Sequence, residues 1–174
     1  MDEQAILKRV NKAWINCGKC PKYVGALTVE TIREALQKHG IPVSARDVFI
    51  RGIPIEFDLL VPRHNASCPL GGILYKPEDV IAVLEIKASG LFDYNSKSRI
   101  EKCFEEVRQK NPEIFCGYVT LSERHSFHEK NFGGNEWAYP LFWYRQIKRE
   151  ETYESTGAWQ KLLSKLHSCI ESRE

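Results

Sequence analysis

Residues 80–88 read Val-Ile-Ala-Val-Leu-Glu-Ile-Lys-Ala, with Glu85 and Lys87 set into one of the most apolar runs of the chain. The aliphatic residues at 80–84 and 86 predict a strand. Side chains alternate across a strand, so Val83, Glu85 and Lys87 share one face while Leu84 and Ile86 share the other. An ionised group placed there is costly unless a partner or a metal compensates it. The interruption therefore marks a candidate site.

A second carboxylate in a poor place for one lies upstream. Residues 55–61 read Ile-Glu-Phe-Asp-Leu-Leu-Val, a predicted strand in which Asp58 is bracketed by apolar neighbours. Asp is depleted in strands. If this strand pairs with 80–88 so that Asp58 and Glu85 lie on one face, two carboxylates converge with the Lys87 ammonium beside them. Such a donor set suits a hard divalent cation, Mg²⁺ or Mn²⁺, held by Asp58, Glu85 and the backbone carbonyl of Ile86, with water and phosphate filling the remaining positions. Hydrolysis of a phosphodiester is the chemistry this arrangement favours, with Lys87 orienting the nucleophile or offsetting transition-state charge.

Residues 47–51 predict a strand joined to 55–61 by a hairpin at Gly52-Ile53-Pro54. Residues 62–79, rich in Pro, Gly, Ser and Asn, read as a loop. After Ser89-Gly90, the stripe Ile100, Cys103, Phe104 and Val107 predicts a helix over 97–110, ended by Asn111-Pro112, and a strand follows at 114–121. Strand, crossover helix and strand imply parallel pairing. The polar segment 122–135 reads as an exposed loop with a short helix at most. A late strand at 141–147 and a closing helix at 158–170 complete the chain, the latter with Trp159, Leu162, Leu163 and Leu166 in phase. At the start, Ile6, Leu7, Val10 and Trp14 predict a helix over 3–16, and Val29, Ile32 and Leu36 predict one over 28–39 with Thr28 as N-cap and Gly40 as its stop.

An acidic residue on one strand followed by Glu-x-Lys on the next resembles the PD-(D/E)xK, or restriction-endonuclease-like, nuclease superfamily, matched here by Asp58 and Glu85-Ile86-Lys87. The family's proline before the first acid is absent, since Phe57 precedes Asp58. The resemblance covers residues 24–121 and implies an α/β fold: a mixed central sheet of four or more strands flanked by helices. It further implies a metal-dependent nuclease acting on DNA. Archaeal Holliday-junction resolvases and several defence nucleases also carry a glutamate in the helix before the first strand, for which Glu30 is the counterpart and Glu34 the alternative.

Composition sets the outer bounds. At 174 residues, 43% apolar and 28% charged, the chain is expected to form a single domain over 1–174. A net charge of +2 is too mild to argue nucleic-acid binding by bulk electrostatics. Met1 is followed by Asp-Glu-Gln rather than a basic, then apolar, leader, and no apolar run is long enough to span a bilayer, so a cytoplasmic protein without membrane contact is expected. Six cysteines, Cys17, Cys20, Cys68, Cys103, Cys116 and Cys169, read mostly as free thiols. Cys17-Gly18-Lys19-Cys20 has half-knuckle spacing, but its only nearby ligand pair is His64 and Cys68. His125 and His128 receive no role. The aromatic series from Trp137 to Tyr144 reads as core rather than as a base-stacking platform.

Two functional classes stay open: an active endonuclease cutting DNA, with RNA not excluded and a homodimer expected for double-strand cleavage, and a nuclease-fold module that binds nucleic acid or acts as an assembly subunit without catalysis.

Overall fold

The computed structural model describes residues 1–17, 20–67, 71–89, 94–148 and 150–173. Cys68, Gly90, Arg149 and the Gly18-Lys19 centre of the Cys-x-x-Cys motif lie outside them.

The first helix, α1 (Glu3–Asn16), begins where Asp2 Oδ1 accepts from the Ala5 N–H at 2.8 Å. It buries Ile6, Leu7, Val10 and Ala13. Trp14, expected on that stripe, is 38% exposed, and the smaller Ala13 occupies the inner position instead. The second helix, α2 (Pro21–Lys38), starts seven residues before the predicted 28. Pro21 stands in its first turn, where a missing N–H costs nothing. Thr28 is therefore not the N-cap. It is fully buried inside the helix, and its hydroxyl donates to the Val24 carbonyl at 2.7 Å.

The predicted strand 55–61 is two strands in two sheets. β1 (Val48–Ile50) and β2 (Ile53–Phe57) form an antiparallel hairpin, and β4 (Leu74–Tyr75) joins β1 in parallel to give the order β2-β1-β4. The hairpin turns at Arg51-Gly52, where Gly52 has φ 81°, a left-handed value that favours glycine. β3 (Leu59–Pro62) instead edges the main sheet, with β5 (Val80–Ser89), β6 (Phe115–Glu123), β7 (Ala138–Ile147) and β8 (Glu150–Ser155) in the order β3-β5-β6-β7-β8. β5, β6 and β7 run parallel, and β3 and β8 are antiparallel to their neighbours. The crossover from β5 to β6 is α3 (Tyr94–Lys110), from β6 to β7 is α4 (His125–Phe132), and α5 (Ala158–Glu171) closes the chain. A single 3-10 turn at Pro77–Asp79 leads into β5.

Two buried clusters lie on the two faces of this sheet. Ile6, Ile32 and Leu36 meet Leu84, Ile86, Val119, Trp159 and Leu162 on one side. Val83, Tyr118, Phe104, Val107 and Phe132 meet Phe57 and Tyr75 of the small sheet on the other. Trp159 and Leu162 are completely buried, so truncating either to alanine would cost about 3–5 kcal/mol. Among the described residues no helix is long and apolar enough to cross a membrane. The five cysteines described, Cys17, Cys20, Cys103, Cys116 and Cys169, are free thiols. Burial pushes the thiols of Cys103 and Cys116 up to about 12.

Candidate active site

The site grows from the centre of the main sheet. β5 is covered on both faces, which is why residues 80–84 are entirely apolar and entirely buried. Beyond Leu84 the cover thins, and Glu85 and Lys87 alternate with buried Ile86, facing the Val83 side as the period of the strand requires. On the antiparallel neighbour, Leu59 is level with Leu84, so the preceding residue, Asp58, arrives beside Glu85. Asp58 is a bend between β2 and β3, the point where the chain leaves one sheet for the other. Asp suits such a bend far better than a strand interior.

Two interactions hold Asp58 there. The Ile86 N–H donates to Asp58 Oδ2 at 2.7 Å, and Lys87 Nζ donates to the same oxygen at 3.3 Å. Lys87 Nζ also donates to Glu85 Oε1. One ammonium thus bridges two carboxylates, with side chains 34% exposed at Lys87, 22% at Asp58 and 23% at Glu85. The group is half-buried but open to solvent.

Its charges are unbalanced: two acids share one base. Burial first, and then the charge of Asp58, raise the Glu85 carboxyl above its ordinary range, although Lys87 pulls it down. Burial works against the charge on Lys87, but Glu85 and Asp58 outweigh it and hold the amine above the usual lysine value. A pair of crowded oxygen donors with excess negative charge is the chemistry a hard divalent cation neutralises. Asp58, Glu85 and Lys87, all named from the sequence, are therefore together.

Glu30 is placed differently. Both its oxygens are engaged by Arg33, with Arg33 Nε donating at 3.0 Å, and this hydrogen bond holds its carboxyl below the usual range. Glu34 is engaged by Arg9 at 2.6 and 3.1 Å, which ties α1 to α2. Among the described residues no group of three or more His, Cys, Asp or Glu side chains is arranged to hold a metal, so neither glutamate, nor the Cys17/Cys20 pair, completes such a cluster.

Further groups flank the site that the sequence left unassigned. Register sets Tyr118 of β6 beside Glu85 and Thr120 beside Lys87. Arg99 of α3 lowers the Glu85 carboxyl by its charge. Further along β6, the Glu123 side chain is fully buried and receives His128 Nδ1 at 2.9 Å. Glu123, expected in the exposed loop 122–135, is instead the last residue of β6. The readable signal was a histidine five residues on in a segment short enough to fold back as α4.

No protein-family model and no curated protein matches the sequence. Solved structures do resemble it. NucC of P. aeruginosa ATCC27853 in its cAAA-bound form superposes with a TM-score of 0.62 at 13% identity, over 96% of this chain and 88% of that one. NucC of E. coli MS115-1 bound to cAAA gives 0.62 at 14% identity, over 97% and 91%. Its apo form gives 0.56 at 15%, over 94% and 90%. The shared architecture is the restriction-endonuclease-like α/β fold, and the likeness extends well beyond residues 24–121 to take in most of the chain.

Proposed function

We propose that this chain is a metal-dependent nuclease that hydrolyses phosphodiester bonds in DNA, with Asp58, Glu85 and Lys87 as its active site. The observation that carries the reading is the convergence of both carboxylates on the Lys87 ammonium, with Asp58 fixed by the Ile86 N–H. A nuclease-type fold that sets a Glu-x-Lys strand beside an upstream Asp supports it.

In this reading Asp58 and Glu85 hold Mg²⁺ or Mn²⁺. The Ile86 carbonyl, on the same strand edge as its N–H, supplies a third oxygen. When bound, such an ion polarises the scissile phosphate and acidifies water. Lys87 supplies a cation on the substrate side, donating to the attacking water or to the phosphate oxygens as negative charge builds on them. Glu30 and Glu34, each paired with an arginine and completing no cluster among the described residues, are left out of the proposed ligand set. The expected place of action is the cytoplasm, in defence, restriction or recombination, and cutting both strands with one site per chain would call for a two-fold pair of chains.

The test is cleavage of supercoiled plasmid, single-stranded DNA, four-way junctions and RNA with Mg²⁺, Mn²⁺ or chelator. A four-way junction belongs in the panel because the superfamily that Asp58 and Glu85-Ile86-Lys87 resemble includes Holliday-junction resolvases. Each reaction is run with and without cAAA, because NucC binds it. Metal-dependent cleavage lost in Lys87→Ala supports the reading. No cleavage of any substrate with either metal, with or without cAAA, rejects it.

A further inference from the structure

Thr120 lies directly across from Lys87 in the parallel β5–β6 pairing, and Glu85 and Tyr118 form the preceding rung on the same face, two residues back. In-register residues of paired strands direct their side chains to one face, so the Thr120 hydroxyl borders the Lys87 side of the site. It is fully buried, and among the described residues its Oγ1 has no hydrogen-bond partner. A buried hydroxyl without a partner is uncommon and calls for an explanation. Its neighbour on the other side, Pro140 of β7, brings no N–H to satisfy it.

Lys87 supplies the explanation. Its ammonium rests on Asp58 and Glu85, the two carboxylates that the proposed nuclease needs for a cation. A divalent ion on those carboxylates would compete for the oxygens that hold Lys87 and set a like charge beside its ammonium. Lys87 would then move off the β3 side of its strand while staying close enough to meet a phosphate. On the β6 side, the free acceptor at its own level is Thr120 Oγ1.

We infer that Thr120 is a positioning residue for Lys87: its hydroxyl accepts the ammonium that cation uptake displaces from Asp58 and Glu85, and holds it where the substrate arrives. The inference rests on the nuclease reading of the same site, and it adds a residue that motif spacing does not reveal.

A double-mutant cycle on cation affinity tests it without requiring turnover. Mn²⁺ is titrated calorimetrically into the full chain as wild type, Thr120→Val, Lys87→Met and the double variant. Thr120→Val should weaken Mn²⁺ about tenfold when Lys87 is present, the loss of one hydrogen bond to a charged group. It should have no effect in the Lys87→Met background, and Thr120→Ser should restore wild-type affinity. In cleavage assays Thr120→Val should lower kcat with KM unchanged. Thr120→Ala, taken through the same cycle, carries the test if the valine variant does not fold. Equal weakening in both backgrounds, or none in either, overturns the inference. Wild-type protein that binds Mn²⁺ and cleaves DNA while the cycle shows no coupling removes the role of Thr120 and leaves the nuclease reading standing. Wild-type protein that takes up no Mn²⁺ overturns both.

Discussion

The backbone N–H of Ile86 donates to Asp58 Oδ2 at 2.7 Å, across the gap left where β3 ends and the chain turns back toward β2. This bond does two things. It satisfies a strand-edge donor that β3 no longer reaches, and it aims an acidic side chain at Glu85 and Lys87. The first task requires only an oxygen, while the second requires a charge.

Asp58→Asn should separate the two. Its amide oxygen can still accept from Ile86, so the melting temperature should change by no more than a few degrees, whereas metal-dependent cleavage should fall about 10²-fold or more, the usual scale for removing one electrostatic contributor. Parallel thermal melts and plasmid-nicking rates check this. Equal activity in the two proteins would remove Asp58 from the chemistry.

The titration of Glu85 makes a prediction about pH. Burial and the Asp58 charge raise its folded value above the ordinary carboxylate value. Such a group favours the folded state at low pH and withdraws that support as pH climbs through the folded value. Metal-free protein should therefore lose stability from the ordinary carboxylate range upward. Glu85→Gln should abolish that decline and raise the melting temperature at neutral pH. Lys87 acts in the alkaline window: its contribution is present below the ordinary lysine value and lost as pH rises past it. Denaturation midpoints measured across pH for wild type and Glu85→Gln test both signs.

How far was this legible from residues alone? Where one face is apolar and one solvated, the pattern suffices: α1 matches the predicted 3–16, and α5 matches 158–170 to within a residue. The chemistry of β5 is equally readable, because Glu85 and Lys87 stand out at the end of a fully buried apolar run. Misreadings occur where two signals compete. Thr28, a good N-cap residue type, suggests a late start for α2, yet Pro21 in the first turn marks the actual one. Residues 55–61 read as one strand because nothing in the period marks a change of sheet; Asp58 itself was the marker. β8, Glu-Glu-Thr-Tyr-Glu-Ser, is an edge strand with little burial on either face, so it carries no alternation to detect.

The buried pair of Glu123 and His128 should anchor α4 to the sheet. The Glu123 side chain is fully buried and that of His128 is 12% exposed. His128→Ala would leave a buried carboxylate without its partner and should cost about 3–5 kcal/mol. Adding Glu123→Gln to that variant should recover much of the loss, since the uncompensated charge is gone. Urea unfolding of the single and double variants measures it, and a loss that stays whole in the double variant would refute the charge argument.

Gly117 is the close approach between β5 and β6. A Cβ there would stand 2.8 Å from Leu84 Cδ2 and 3.2 Å from Phe115 Cε1. Both are side-chain ends that can shift, so Gly117→Ala should destabilise by about 1–3 kcal/mol without unfolding the chain. Equilibrium unfolding checks the magnitude, and an unchanged midpoint would mean the pocket relaxes freely.

The most direct measurement is anomalous diffraction from crystals soaked with Mn²⁺. A manganese peak is expected about 2.1 Å from a carboxylate oxygen of Asp58 and one of Glu85, with Lys87 Nζ moved away from both. Protein saturated with Mn²⁺ but showing no peak between these two side chains, or showing it bound elsewhere with Lys87 still bridging them, would contradict it.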